Sequence, residues 1–255
     1  MSQADRAKTP PKAMTRRMIF AAAAALAGCG VGPARAYYHG KNCFLKGTGI
    51  ATLTGVRRIE DLCVGDIVPT AFGGARPIEW IGRFRRTRRD ATRPWDKHAR
   101  PVRIARGALA PNVPSADLFV TGGHALLIDG LLIPAECLIN DTTISRYPAH
   151  EHDELEFFHI KLDSHDVIYA EGAPCESLLR VDETMSNASS YLRGHGQTRD
   201  EHCAPIVGNG LRAQIKTEVK GLLSPSRGER QLDLVRARLD ARAAALTAQQ
   251  PETVA

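Results

Sequence analysis

A cysteine that opens a folded region can turn the peptide bond before it into a substrate. Cys43 has this position, after a short polar stretch, residues 37–42, and at the start of patterned sequence. Its thiolate can attack the carbonyl of Asn42 and convert the Asn42-Cys43 amide into a thioester. An amide is the more stable of the two, so the site must strain or polarise it and protonate the departing nitrogen. Thr121-Gly122-Gly123-His124 contains residue types suited to that task. With only two small residues between them, Thr121 and His124 can point at one peptide bond. The imidazole can act as the acid on the amide nitrogen, because its ordinary pKa is near neutrality. A Thr three residues before a His is common, so its weight comes from what surrounds it.

The surrounding elements read as strands. From residue 47 to 172 the chain is made of short apolar or alternating runs broken by Gly, Pro and Asp, an all-β pattern. Strands are expected over 49–53, 66–70, 77–81, 102–104, 118–121, 125–128, 131–134, 155–162 and 167–170. Asp129-Gly130, between two Leu-Leu-Ile-type runs, asks for a type I′ hairpin, and Gly73-Gly74 separates two more extended runs. Beyond Val181 the sequence becomes polar and then helical. Leu232, Val235, Leu239, Ala243 and Leu246 form one apolar stripe at steps of three and four. That helix is expected to dock on the β domain or to serve as a dimer contact.

Three blocks in order give these features a common meaning. Residues 43–52 (CFLKGTGIAT) with 56–68 (VRRIEDLCVGDIV) closely resemble the opening of the Hint domain shared by Hedgehog proteins and inteins. Thr121 to His124 match that family's T-x-x-H block, and residues 155–172 resemble its closing strand pair. The flavour is that of stand-alone bacterial Hint proteins. The resemblance implies an all-β, Hint-type horseshoe fold over residues 43–180, with residues 181–255 as polar linker and C-terminal helical tail. It makes Cys43 the nucleophile, Asn42 the residue at the cleavage point, His124 the acid and Thr121 its orienting or polarising partner. His159 falls near the position where inteins often carry an Asp that assists later steps; the alternative is a strand-face histidine satisfied by a neighbour.

One departure limits the implied reaction. Inteins finish with His-Asn followed by Cys, Ser or Thr, whereas Gly172 is followed here by Ala-Pro-Cys-Glu-Ser. Full protein splicing is therefore not expected. What the resemblance leaves is single-turnover autoprocessing: thioester formation, then cleavage by water or transfer to a thiol or alcohol nucleophile. No cofactor is implied.

The net charge of +6 belongs mostly to the leader. Residues 1–36 hold six Lys/Arg and one acid, and the remainder carries 28 basic against 27 acidic groups. This removes the main argument for nucleic acid as a partner. Arg16-Arg17, the apolar run to Ala27 and the following small residues have the order of an export signal, 1–36, and resemble a twin-arginine leader. Two cleavage readings fit: after Ala34-Arg35-Ala36, or at a lipobox, Leu26-Ala27-Gly28-Cys29, in which Cys29 would be acylated. The protein is expected to be exported, periplasmic or secreted, and membrane-bound only if lipidated at Cys29. The apolar run is too short to span a bilayer.

The other residues offer fewer leads. Residues 83–106 hold ten Lys/Arg against two acids. They read as a solvated basic loop or, with Arg83, Arg85, Arg86, Arg88, Arg89 and Arg93, as a site for an anionic partner. A non-catalytic Hint-fold binding module using this stretch is thus the competing function. Cys63 and Cys137 read as small core residues, and Cys175 and Cys203 as a candidate pair. His150, His152 and Asp153 have metal-ligand chemistry but fall in a polar loop, and no metal site is expected.

Overall fold

The computed structural model describes residues 42–88, 90, 92–97, 99–181, 183, 185, 187–195, 201–207 and 225–249. The leader, with Cys29, and Arg89 lie outside the described residues. Among the described residues fourteen strands form two antiparallel sheets, and neither closes into a barrel. The six-stranded sheet runs, in spatial order, β11 (Ile144–Arg146), β7 (Val102–Ile104), β8 (Leu118–Val120), β1 (Phe44–Leu45), β12 (Glu154–Lys161) and β6 (Trp80–Thr87). The second runs β10 (Leu131–Pro134), β9 (Ala125–Ile128), β14 (Ala173–Glu176), β13 (Val167–Ala170), β2 (Gly49–Thr52) and β3 (Gly55–Arg58). Attached to it are β4 (Ile67–Thr70), which pairs with β13, and β5 (Gly74–Pro77), which pairs with β4.

Turn chemistry sets the registers. Asp129 and Gly130 both adopt positive φ, 52° and 78°, in the turn that joins β9 to β10. Glu171 and Gly172, at 48° and 77°, do the same between β13 and β14. In both turns the mirror-image geometry matches the right-handed twist of the paired strands. The run read as one strand over 77–81 is instead divided. Ile78 exchanges backbone hydrogen bonds with Gly65 and Asp66, and Glu79 N–H donates to the Lys161 carbonyl. The chain crosses here from one sheet to the other.

The principal core lies between the sheets, around Phe44, Ile50, Val68, Val120, Leu126, Ile133, Phe158 and Ile168. Helix α1 (Ala188–His195) packs Tyr191 and Ala188 against Trp80 at one end of β6. Helix α2 (Pro225–Gln249) lies on the β domain with Leu232, Val235, Leu239 and Ala243 buried and Leu246 half-buried. Its polar contacts fix the same face: Arg236 Nε donates to the Cys137 carbonyl at 2.7 Å, and Arg238 pairs with Asp129 at 2.9 Å. Among the described residues no helix is long and apolar enough to cross a membrane.

Candidate active site

Strand register brings the site together. Phe44 stands opposite Val120 on one side and Phe158 on the other. In antiparallel ladders, one step back along β1 is one step forward along both neighbours. Cys43 therefore falls between Thr121 and His159, which are 78 and 116 residues away in sequence. The ladder continues through this position, with Thr121 N–H donating to the Cys43 carbonyl at 3.0 Å.

The Asn42-Cys43 peptide is held at both ends. Cys43 N–H donates to Thr121 Oγ1 at 3.1 Å. The Asn42 carbonyl oxygen lies 2.9 Å from His159 Nδ1, and the Cys43 sulfur lies 3.3 Å from His159 Nε2. A carbonyl only accepts, so Nδ1 must carry the ring proton. In the neutral ring Nε2 then presents a lone pair to the thiol. Burial lowers the His159 pKa to about 4, partly opposed by the Asn42 backbone, and keeps the ring neutral near pH 7. The ring is oriented by stacking on Phe84 at 5.6 Å between centroids. Opposite it in register stands Gly82, where a Cβ would come within 2.3 Å of the Trp80 ring and 3.1 Å of His159 Cδ2. Cys43 is fully buried, in a cluster with Leu45, Trp95, Leu155 and Phe157.

His124 sits in the same region under different conditions. It is 1% exposed, and its ring packs on Phe44 with centroids 4.3 Å apart. Its N–H closes the turn onto the Thr121 carbonyl at 3.0 Å. Neither ring nitrogen makes a hydrogen bond of good geometry among the described residues, although the backbone of Cys43 and Glu176 lies close by. Burial lowers its pKa to about 3, with the nearby backbone of Cys43 and Glu176 offsetting only part of that. The near-neutral pKa expected from the sequence gives way to a ring that is uncharged at pH 7, because no acid or water-exposed edge compensates its desolvation.

Among the described residues, His165, Glu176 and His202 form the one group whose ligand atoms lie close enough to hold a metal ion, within 4.8 Å of one another. The hydrogen bonding argues against that use. Cys203 N–H donates to His165 Nδ1 at 3.1 Å, so the ring proton is on Nε2, facing Glu176 Oε2 at 3.3 Å. A ligating histidine ordinarily donates from its second nitrogen instead of accepting there. His150, His152 and Asp153 are exposed, and Asp153 pairs with Arg88.

The basic stretch differs from the solvated loop expected. Arg83, Arg85 and Arg86 lie on β6, whose eight residues pair along the whole of β12. Arg83 and Arg85 both donate to Glu156, Arg88 pairs with Asp153 and Arg93 with Asp90. Arg86 lies over the Phe84 ring at 5.8 Å. The cross-strand acids take up much of the positive charge.

Two cysteine readings also change. Cys63 is exposed, because its N–H is held by the Asp66 carboxylate in a turn that points the side chain outward. Cys175 and Cys203 are both free; burial drives the Cys175 thiol well above its ordinary range and pushes Cys203 up to about 12. Cys137 is buried as expected. The sequence reading missed Gly82 and Glu176. A glycine within an otherwise bulky strand and an acid at the end of the Ala-Pro-Cys-Glu run were the available signals.

The folded domain with this arrangement belongs to a class capable of autoprocessing in general. The model of the Hint domain family matches residues 42–182, over half of the chain, and the protein belongs to that family. Among solved structures, a bacterial intein-like domain from Clostridium thermocellum is similar at 13% identity and a TM-score of 0.39, covering 54% of this chain and 99% of that one. The MchDnaB-1 intein is similar at 13% identity and 0.36, covering 52% and 98%. The gp41-1 intein gives 13% and 0.36, covering 52% and 97%. No curated protein matches.

Proposed function

We propose that this chain is an exported Hint protein that cuts itself between Asn42 and Cys43. In the first step His159 Nε2 accepts the thiol proton, and the sulfur attacks the Asn42 carbonyl carbon. The Nδ1–H of the same ring holds the carbonyl oxygen as negative charge develops on it. Thr121 Oγ1 fixes the amide N–H, and the proton that His159 takes from the thiol reaches the departing nitrogen by way of His124, which gives up one ring proton as it takes on another and so stays neutral. The products of the shift are a thioester between Asn42 and Cys43 Sγ and a free amine on Cys43. Water, a thiol or an alcohol then takes the acyl group from sulfur.

The observation that carries this reading is that one imidazole contacts both the attacking sulfur, at 3.3 Å, and the carbonyl oxygen of the bond to be broken, at 2.9 Å. The place of His124 supports it, since its buried ring lies beside the backbone of Cys43, the residue whose amide is to be broken, without a well-formed hydrogen bond in the resting state. The competing role, binding through the basic stretch, loses support from the pairing of Arg83, Arg85, Arg88 and Arg93 with neighbouring acids.

The test is intact-mass analysis of a stable carrier fused ahead of Tyr37, with and without dithiothreitol. Thiol-stimulated release between Asn42 and Cys43, abolished by Cys43→Ala and by His159→Ala, is expected. No release under any condition overturns the reading. Export is argued from residues 1–36 alone, and replacing Arg16 and Arg17 by Lys is expected to leave the uncleaved precursor in the cytoplasm.

A further inference from the structure

Glu176 ends β14 with its side chain 1% exposed, and among the described residues no Lys or Arg pairs with it. Its two oxygens are divided between two partners. Oε1 accepts the Ala125 N–H at 2.7 Å, and Oε2 accepts from His165 Nε2 at 3.3 Å. His165, itself buried, receives the Cys203 N–H on its other nitrogen at 3.1 Å. A continuous hydrogen-bonded line thus runs from Cys203 through His165 and Glu176 to Ala125. Ala125 follows His124, whose own N–H closes the turn on Thr121.

The far end of that line is outside the stretch matched by the family. Residues 205–207 lie along β10, with Leu132 N–H donating to Pro205 O at 2.8 Å and Val207 N–H donating to Leu132 O at 2.9 Å. A parallel bridge between Leu132 and Ile206 completes the attachment. Burying a carboxyl group is costly unless its hydrogen bonds compensate, and an apolar residue would fill a strand end at less cost. One of the two partners, Ala125, adjoins the turn that carries His124, and the other, His165, ties the same carboxylate to Cys203.

We propose that Glu176 is a positioning residue for His124 and that residues 201–207, acting through His165, help to hold the same turn. Self-cleavage then depends on chain beyond the Hint domain proper. The proposal rests on the self-cleavage reading above. Its chemistry is second-hand: Glu176 touches neither the thiol nor the Asn42 carbonyl, and its effect passes through the backbone next to His124.

The test compares Glu176→Gln and His165→Phe with Leu239→Ala, a buried position on α2 outside this line. Cleavage rates of the carrier fusion are measured well below each melting temperature, and the His124 ring ¹⁵N signals are recorded in the Cys43→Ala background. Glu176→Gln and His165→Phe are expected to slow cleavage by about tenfold or more and to move the His124 signals, consistent with the usual size of general acid–base contributions. Leu239→Ala, with an equal or larger loss of melting temperature, is expected to cleave within about twofold of the unaltered protein. Cleavage that falls only in step with melting temperature, with His124 signals unmoved, overturns the proposal. If the unaltered fusion does not cleave, the functional reading fails separately, and the ring signals alone decide this one: unmoved, they overturn it; moved, they support it.

Discussion

Cys43 and His159 meet in a geometry that already assigns the proton on the histidine. Because His159 Nδ1 lies 2.9 Å from the Asn42 carbonyl oxygen, it must donate, and Nε2, 3.3 Å from the Cys43 sulfur, is left as the acceptor. A ring in the opposite tautomer would place a lone pair against a carbonyl, lose that contact, and leave Nε2 unable to take the thiol proton.

Substituting His159 separates its two contacts from mere bulk. His159→Ala is expected to lower thiol-stimulated cleavage by about 100-fold or more, the scale of a lost general base with an added loss of carbonyl stabilisation. Intact-mass time courses of the carrier fusion give the rate. A rate within about threefold of the unaltered protein would remove His159 from the reaction.

Gly82 bears on the same ring from the neighbouring strand. A Cβ there would sit 2.3 Å from the Trp80 ring and 3.1 Å from His159, so Gly82→Ala must displace one of them. The expected cost is about 1–3 kcal/mol by denaturant unfolding, together with slower cleavage. Unchanged stability and rate would mean that the two rings move aside freely.

Acid should weaken the fold through the two buried imidazoles. His124 and His159 stay neutral in the folded chain down to about 3 and about 4, while an unfolded chain takes up protons from about 6.5. Between those values the unfolded form binds more protons, so stability rises with pH and is lost as pH falls from about 6.5 toward 4. Melting temperatures measured across that window are expected to decline, and to decline less in His124→Leu. An identical slope in the variant would mean that His124 is not buried uncharged.

Thiol accessibility checks the placement of the cysteines. Cys63 is exposed, Cys43, Cys137 and Cys175 are buried, and Cys203 is intermediate. A chain that begins at Tyr37 is expected to show one rapidly reacting thiol with a chromogenic disulfide, and Cys63→Ser should abolish that fast phase. Fast labelling of three or more sulfurs would contradict the buried positions.

The elements legible in the sequence were those with local causes. The strands at 102–104, 125–128, 131–134 and 167–170 follow from short apolar runs with sharp turns beside them, and Asp129-Gly130 announces its own hairpin. β1 and β11, two and three residues long, carry too few residues to show a period, and both exist because longer neighbours offer them a ladder. Cys43, Thr121 and His124 could be named because their residue types stand out in order along the chain. What sequence alone does not fix is which histidine faces the sulfur. That depends on the register of β12 against β1, a pairing over more than a hundred residues, and it places His159 at the thiol and His124 against Phe44. The strand under the arginines from 83 to 87 was hidden for a related reason: the acids that pair with Arg83, Arg85 and Arg88, namely Asp153, Glu154 and Glu156, come from the paired strand or the residue before it.

Helix α2 makes the boundaries of the family match a poor place to cut. Leu232, Val235 and Leu239 belong to the principal core along with residues from both sheets. A fragment that stops at residue 182 would keep every group around the Asn42-Cys43 bond and still present a bare oily seam where the helix had been, a surface of the kind that drives self-association. Such a fragment would be a poor reagent for purification, and its loss from solution would mask whatever the loss of residues 201–207 does to its chemistry.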